Sequence, residues 1–209
     1  FADFDAIGSA VGVARLAMFC GVPVNIVANP NDSGIAKSYE WVKHLPDYKG
    51  VFVDSAAALD LVNSGTLLII CDVCNKMQFE SPALYDSCNK VVIIDHHRKA
   101  EELPDTVKIE YIVPNASSTC EIVTEMIESS VNSQCLIKEE ADMLLSGILL
   151  DTKQFTRNTG TRTFAAAQYL QSAGANPTDV YNLFKTAPDD LAKEARFHTD
   201  IVMYRDNVA

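Results

Sequence analysis

Residues 91–100 read VVIIDHHRKA: four β-branched residues, then a carboxylate and two adjacent imidazoles, in a chain of 209 residues with only four histidines. A short unbroken apolar run of this kind is a strand buried on both faces, the mark of a parallel sheet covered by helices. Burying two imidazoles beside Asp95 costs free energy unless each finds a partner. The strand therefore delivers His96 and His97 to something polar and organised.

Working outward, VNIVAN (24–29), GVFVD (50–54), TLLIICDV (66–73) and IEYIVPN (109–115) are further strand-like runs. Between them lie segments with helical spacing and helix boundaries: GSAVGVARLAMFC (8–20) ended by Gly21, residues 33–45 stopped at Pro46, SAAALDLVN (55–63) behind an Asp54 N-cap, and SPALYDS (81–87). Beyond 115 the pattern turns helical, with helices expected at about 118–130, 137–150, 161–173, 176–185 and 188–203. The expected fold is α/β: a doubly wound, mostly parallel sheet with helices on both faces and a mainly helical C-terminal portion. Residues 1–185 read as one domain, and 186–209 as a connecting helix leading onward.

At 48% hydrophobic residues the chain can bury a sizeable core. No run approaches the roughly 18 apolar residues of a membrane span, and FADFDAIGSA at the start has no signal-peptide character. Seventeen basic against 28 acidic residues, a formal net charge of −11, exclude the basic face that duplex nucleic acid selects. A small anionic ligand stays open if a metal supplies positive charge. Six cysteines, mostly inside apolar segments, fit a reducing compartment. Cys71 and Cys74 have redox-pair spacing, but no second such pair follows, and they read as ordinary cysteines flanking Asp72.

In a doubly wound sheet, ligands bind beyond the carboxyl ends of the strands. Asp72 follows TLLIIC, Asp95, His96 and His97 follow VVII, Asp3 and Asp5 open the first helix, and Asp151 follows MLLSGILL. Asp5 reads equally well as a helix N-cap, whereas His44 and His198 read as solvated. Asp3, Asp5, Asp72 and Asp151 gathered at one rim repel unless cations sit between them. Two divalent ions roughly 3.5–4 Å apart could share a carboxylate, acidify a water and clamp a phosphate. Oxygen donors with one imidazole suit Mn2+, with Mg2+, Co2+ or Fe2+ as competitors. Ser117, Ser118 and Thr119 at a helix start could receive a phosphate or simply cap the helix. Arg98, Arg157 and Arg162 could neutralise phosphate charge or stay in water.

Asp95-His96-His97, together with ADFDAIGSA (2–10), IICDVC (69–74) and GILLDTKQF (147–155), resembles the ordered motif set of the DHH phosphoesterase superfamily. The resemblance implies that Asp3 binds one metal and Asp5 the other, that Asp72 bridges both, and that His96 and Asp151 complete the second metal's ligands. His97 would contact the substrate phosphate, with Asp95 orienting an imidazole. The family also places a histidine four residues before the equivalent of Asp3. That position and the strand carrying it would precede Phe1, so the chain is expected to be a trimmed piece of a longer protein.

Within the superfamily, Arg157, Thr159, Gly160, Arg162, Thr163 and Phe164 resemble the DHH domain of Gram-positive cyclic-di-AMP phosphodiesterases. This implies a manganese-dependent hydrolase that opens cyclic di-AMP to linear pApA. It also implies a cytoplasmic domain of a membrane-anchored parent, followed by a DHH-associated domain whose glycine-rich motif is absent here. A cyclic dinucleotide is the expected partner, with no duplex nucleic acid and no membrane contact in this segment; a homodimer is compatible. The alternatives are a short-oligonucleotide exonuclease with 3′-phosphoadenosine-5′-phosphate phosphatase activity, a manganese pyrophosphatase, and a non-catalytic nucleotide-sensing module.

Overall fold

Strand β4 (Val91–Asp95) alternates between two cores: Val91 and Ile93 join one apolar cluster, Val92 and Ile94 the other. This is seen in a computed structural model that describes residues 2–29, 33–99, 106–131 and 135–185. On one face of β4 lie α3 (Ser55–Leu61) and α4 (Pro82–Ser87), through Ala58, Leu84 and Tyr85. On the other lie α5 (Thr119–Ser130) and α6 (Lys138–Asp151), through Ile122, Val123, Leu144 and Ile148. Helices thus cover both faces, as a continuous apolar strand requires.

All strand pairs among the described residues are parallel. β3 (Leu68–Cys71), β4 and β5 (Val107–Ile112) form one sheet in that order; β1 (Ile26–Val27) and β2 (Phe52–Val53) form a second. The α/β class and parallel pairing match expectation, while the ladder falls into two groups. A groove of about 2100 Å³ is lined by β1, β3 and α1 (Phe4–Phe19). α2 (Ser33–Val42), α7 (Thr161–Ser172) and α8 (Pro177–Phe184) complete the helices, and the mainly helical second half is present through α8. The expected helix at 188–203, with the connecting segment 186–209, lies outside the described residues.

α1 begins at Phe4, one turn before the expected Gly8, because the Asp3 carboxylate accepts hydrogen bonds from the Asp5 and Ala6 amides and caps the helix there. Asp54 caps α3 as expected, accepting from the Ala57 amide at 2.8 Å. α1 packs tightly on α5 and α6. A Cβ at Gly8 would come 2.5 Å from the Met143 carbonyl oxygen, so only glycine permits this approach.

Candidate metal centre

Register brings the first acids together. Cys71 pairs with Ile94, so the next residue on each strand is an aspartate, and the Asp72 amide continues the ladder by donating to the Ile94 carbonyl at 2.9 Å. Asp72 then turns out of the strand with φ 64°, a left-handed conformation costly for a residue with a Cβ and often found at functional sites. Asp5 arrives from the first turn of α1, and Asp151 from the last turn of α6.

These side chains converge on His96. Its Nε2 lies 3.0 Å from Asp151 Oδ2, 3.5 Å from Asp72 Oδ1 and 3.8 Å from Asp5 Oδ2. Despite the short approach to Asp151, the angles make no hydrogen bond, and this buried nitrogen lacks a hydrogen-bond partner among the described residues, as does Asp95 Oδ2. The donor atoms of Asp5, His96 and Asp151 lie within 4.8 Å of one another, as do those of Asp72, His96 and His97. A buried nitrogen without a hydrogen-bond partner, facing three carboxylates, is a donor set that a divalent cation satisfies. His97 stands at the rim, its Nδ1 2.8 Å and its amide 3.0 Å from Asp95 Oδ1. Asp3, Asp72, Asp95, His97 and Arg98 line the groove together.

The electrostatics point the same way. Burial raises the Asp5 carboxyl's pKa, and the charge of Asp151 raises it further, against the lowering effect of the Cys120 and Thr119 amides. Burial, then the neighbouring Asp5 and Asp3, push the Asp72 carboxyl up to about 10. For His96, burial alone would lower the pKa, but the surrounding Asp151, Asp5 and Asp95 outweigh it and raise it. Without a cation, the cluster is a place where negative charge is poorly tolerated.

Around the cluster, α5 supplies bonds that sequence reasoning missed. The Thr119 and Cys120 amides donate to Asp5 Oδ2 and Oδ1 at 2.7 and 2.8 Å, and the Thr119 hydroxyl donates to Asp72 Oδ1 at 3.0 Å. Asp5 is therefore the anion at the start of α5, not the cap of α1. Free amides at a helix start announce an anion, but nothing local says which. Gly147, one turn before Asp151, is equally specific: a Cβ there would lie 2.7 Å from Asp5 Oδ1 and 2.4 Å from Cys120 Sγ.

Three of the residues read as phosphate contacts, Ser117, Ser118 and Arg162, have protein partners of their own. Ser117 Oγ donates to Glu121 Oε2 at 2.6 Å, and Ser118 Oγ accepts from the Glu121 amide at 3.0 Å as the cap of α5. Arg162 makes a two-point contact with Glu125 at 2.7 and 2.6 Å. Arg98 and Arg157 are exposed, Arg98 on the groove wall.

The chain is 35% identical over 211 residues, all of its length, to cyclic-di-AMP phosphodiesterase GdpP of Bacillus subtilis (strain 168), and covers 32% of that protein. It is 34% identical over 211 residues to cyclic-di-AMP phosphodiesterase PdeA of Listeria monocytogenes serotype 1/2a (strain 10403S), again all of this chain and 32% of the relative. It thus spans about a third of these curated relatives. An exopolyphosphatase-related protein from Bacteroides fragilis shares the fold, with a TM-score of 0.78 at 22% identity over 98% of this chain and 60% of that one. Residues 1–148 match the DHH family, N-terminal domain, and with the Asp95-His96-His97 stretch at the centre of the cluster the chain belongs to the DHH family.

Proposed function

We propose that this chain is the catalytic portion of a longer, membrane-anchored protein, facing the cytoplasm, and that it hydrolyses cyclic di-AMP to linear pApA. Residues 1–185 would form the catalytic domain, with 186–209 leading to a further domain. The names of the relatives support the substrate, and the convergence of Asp5, Asp72 and Asp151 on the His96 nitrogen carries the reading. No helix among the described residues is long and apolar enough to cross a membrane, so the anchor would lie elsewhere in the parent protein.

In this reading Asp3, Asp5, Asp72, His96 and Asp151 would hold two divalent ions, of which Mn2+ is the proposed identity. When bound, such ions acidify a water and offset the charge of the phosphate. The overall reaction adds water across one phosphodiester: a new P–O bond forms, the P–O3′ bond breaks, and the ribose 3′-oxygen leaves with a proton. The protein's own part is positioning. Asp95 Oδ1, 2.8 Å from His97 Nδ1, orients the ring, and in its doubly protonated form, where both nitrogens donate, the imidazole would present Nε2–H to a phosphate oxygen. Arg98, on the same groove wall, adds a positive charge where the substrate's phosphates would lie. Ser117, Ser118, Arg157 and Arg162 would act at the periphery, Ser117 and Arg162 only by exchanging their present carboxylate partners for phosphate.

The test is hydrolysis by the full-length protein with Mn2+. Cyclic di-AMP is expected to give pApA faster than linear dinucleotides are cut, and Asp72→Ala is expected to reduce the rate to below about one hundredth. Faster cutting of linear dinucleotides would favour the short-oligonucleotide activity instead. Undiminished hydrolysis by Asp72→Ala would remove the cluster from the chemistry.

A further inference from the structure

Asp5 and Asp72 reach the centre from different elements, and neither is placed by its own backbone alone. Asp5 belongs to α1, whereas Asp72 lies just past β3 in a left-handed conformation, outside any regular element. We infer that Thr119 is a positioning residue that ties these two carboxylates to one spacing through its amide and its hydroxyl; the inference rests on the metal-dependent reading above.

The geometry is specific to one oxygen. The Thr119 hydroxyl donates at 3.0 Å to Asp72 Oδ1, the same atom that lies 3.5 Å from His96 Nε2 and 3.6 Å from His97 Nδ1. At those separations neither imidazole holds the carboxylate by a normal hydrogen bond. The hydroxyl therefore sets which way the Asp72 carboxylate faces, while the Thr119 amide, 2.7 Å from Asp5 Oδ2, holds the second carboxylate from the same residue.

Thr119 is itself held firmly. It is fully buried, and its branched side chain has few rotamers to choose from. The preceding turn is pinned by Ser118 capping α5 and by Ser117, whose amide and hydroxyl both donate to the buried Glu121, with Arg162 3.7 Å away on the other side of that carboxylate. Ser117 and Thr119 thus donate their hydroxyls to carboxylates while Ser118 caps the helix, and the effect of Thr119 passes through Asp72.

Calorimetric titration of Mn2+ into the full-length protein tests this, with circular dichroism confirming that each variant is folded. Thr119→Val keeps the shape and the amide but loses the hydroxyl, and is expected to weaken Mn2+ binding about 10-fold, the size typical of a lost group that orients a ligand. Thr119→Ser restores the hydroxyl and is expected to bind within about threefold of wild type. Adding Thr119→Val to Asp72→Ala should cost no further affinity, because alanine already removes the acceptor of the Thr119 hydroxyl. Wild-type affinity in Thr119→Val, an equal loss in Thr119→Ser, or a further loss in the double variant would each overturn the inference. Wild-type protein that binds Mn2+ but cuts no dinucleotide would overturn the proposed activity alone, since the contrast between the Val and Ser variants is read in affinity.

Discussion

At the scale of single residues, the centre depends on an atom that is absent. Gly147 lets Asp5 and Cys120 occupy the space a methyl group would fill, and Asp151 follows one helical turn later on the same side of α6. Gly147→Ala is expected to displace the Asp5 carboxylate and weaken Mn2+ binding at least about 10-fold, even though alanine is the better helix former. Calorimetry reads the affinity, and a melting curve reads the strain. Affinity equal to wild type would show that α6 can shift without moving Asp5.

Among elements, the contact of α1 with α6 is secured by a buried charge. Arg15 Nε lies 2.8 and 2.9 Å from the two oxygens of Glu140, which is fully buried and also accepts from the Tyr48 hydroxyl at 2.7 Å. Removing Glu140 leaves the Tyr48 hydroxyl without its carboxylate and Arg15 with only the exposed Asp47 at 3.0 Å, a change worth up to about 3–5 kcal/mol. Glu140→Ala should therefore lower the melting temperature by roughly 6–20 °C. A drop of under about 2 °C would show that water reaches Arg15 and replaces the carboxylate. β3 raises a second point. Its residues are all apolar yet only half buried, because one side meets the groove it shares with β1.

For the whole molecule, charge couples folding to the ion. The Asp72 carboxyl, pushed up to about 10 from an unfolded value of about 3.9, makes the folded chain hold more protons than the unfolded one between those limits. Stability from this group is full below about pH 4 and is lost as pH rises toward 10; Asp5 and His96, also raised, act in the same direction. The metal-free protein should therefore melt at progressively lower temperature from pH 5.5 to 9, and Asp72→Asn should flatten that slope. Mn2+ at about a hundred times its dissociation constant should add about 2.7 kcal/mol, roughly 5–11 °C, and at a fixed Mn2+ concentration the gain should grow with pH as fewer bound protons have to be displaced. A melting temperature that ignores both pH and Mn2+ would contradict this coupling.

The sequence by itself determined the α/β class, the parallel strands and the rim where Asp72, Asp95, His96 and His97 meet, because apolar runs and helix boundaries are local patterns. β4 and its Asp-His-His ending were legible for that reason. Only the tertiary structure decided that Asp5 accepts from the amides of Thr119 and Cys120, 114 and 115 residues away, that Ser117 and Arg162 turn to Glu121 and Glu125, and that the strands fall into two ladders. Those outcomes rest on which buried donor meets which buried acceptor once helices pack. Periodicity reports the face a residue occupies, whereas packing chooses its partner.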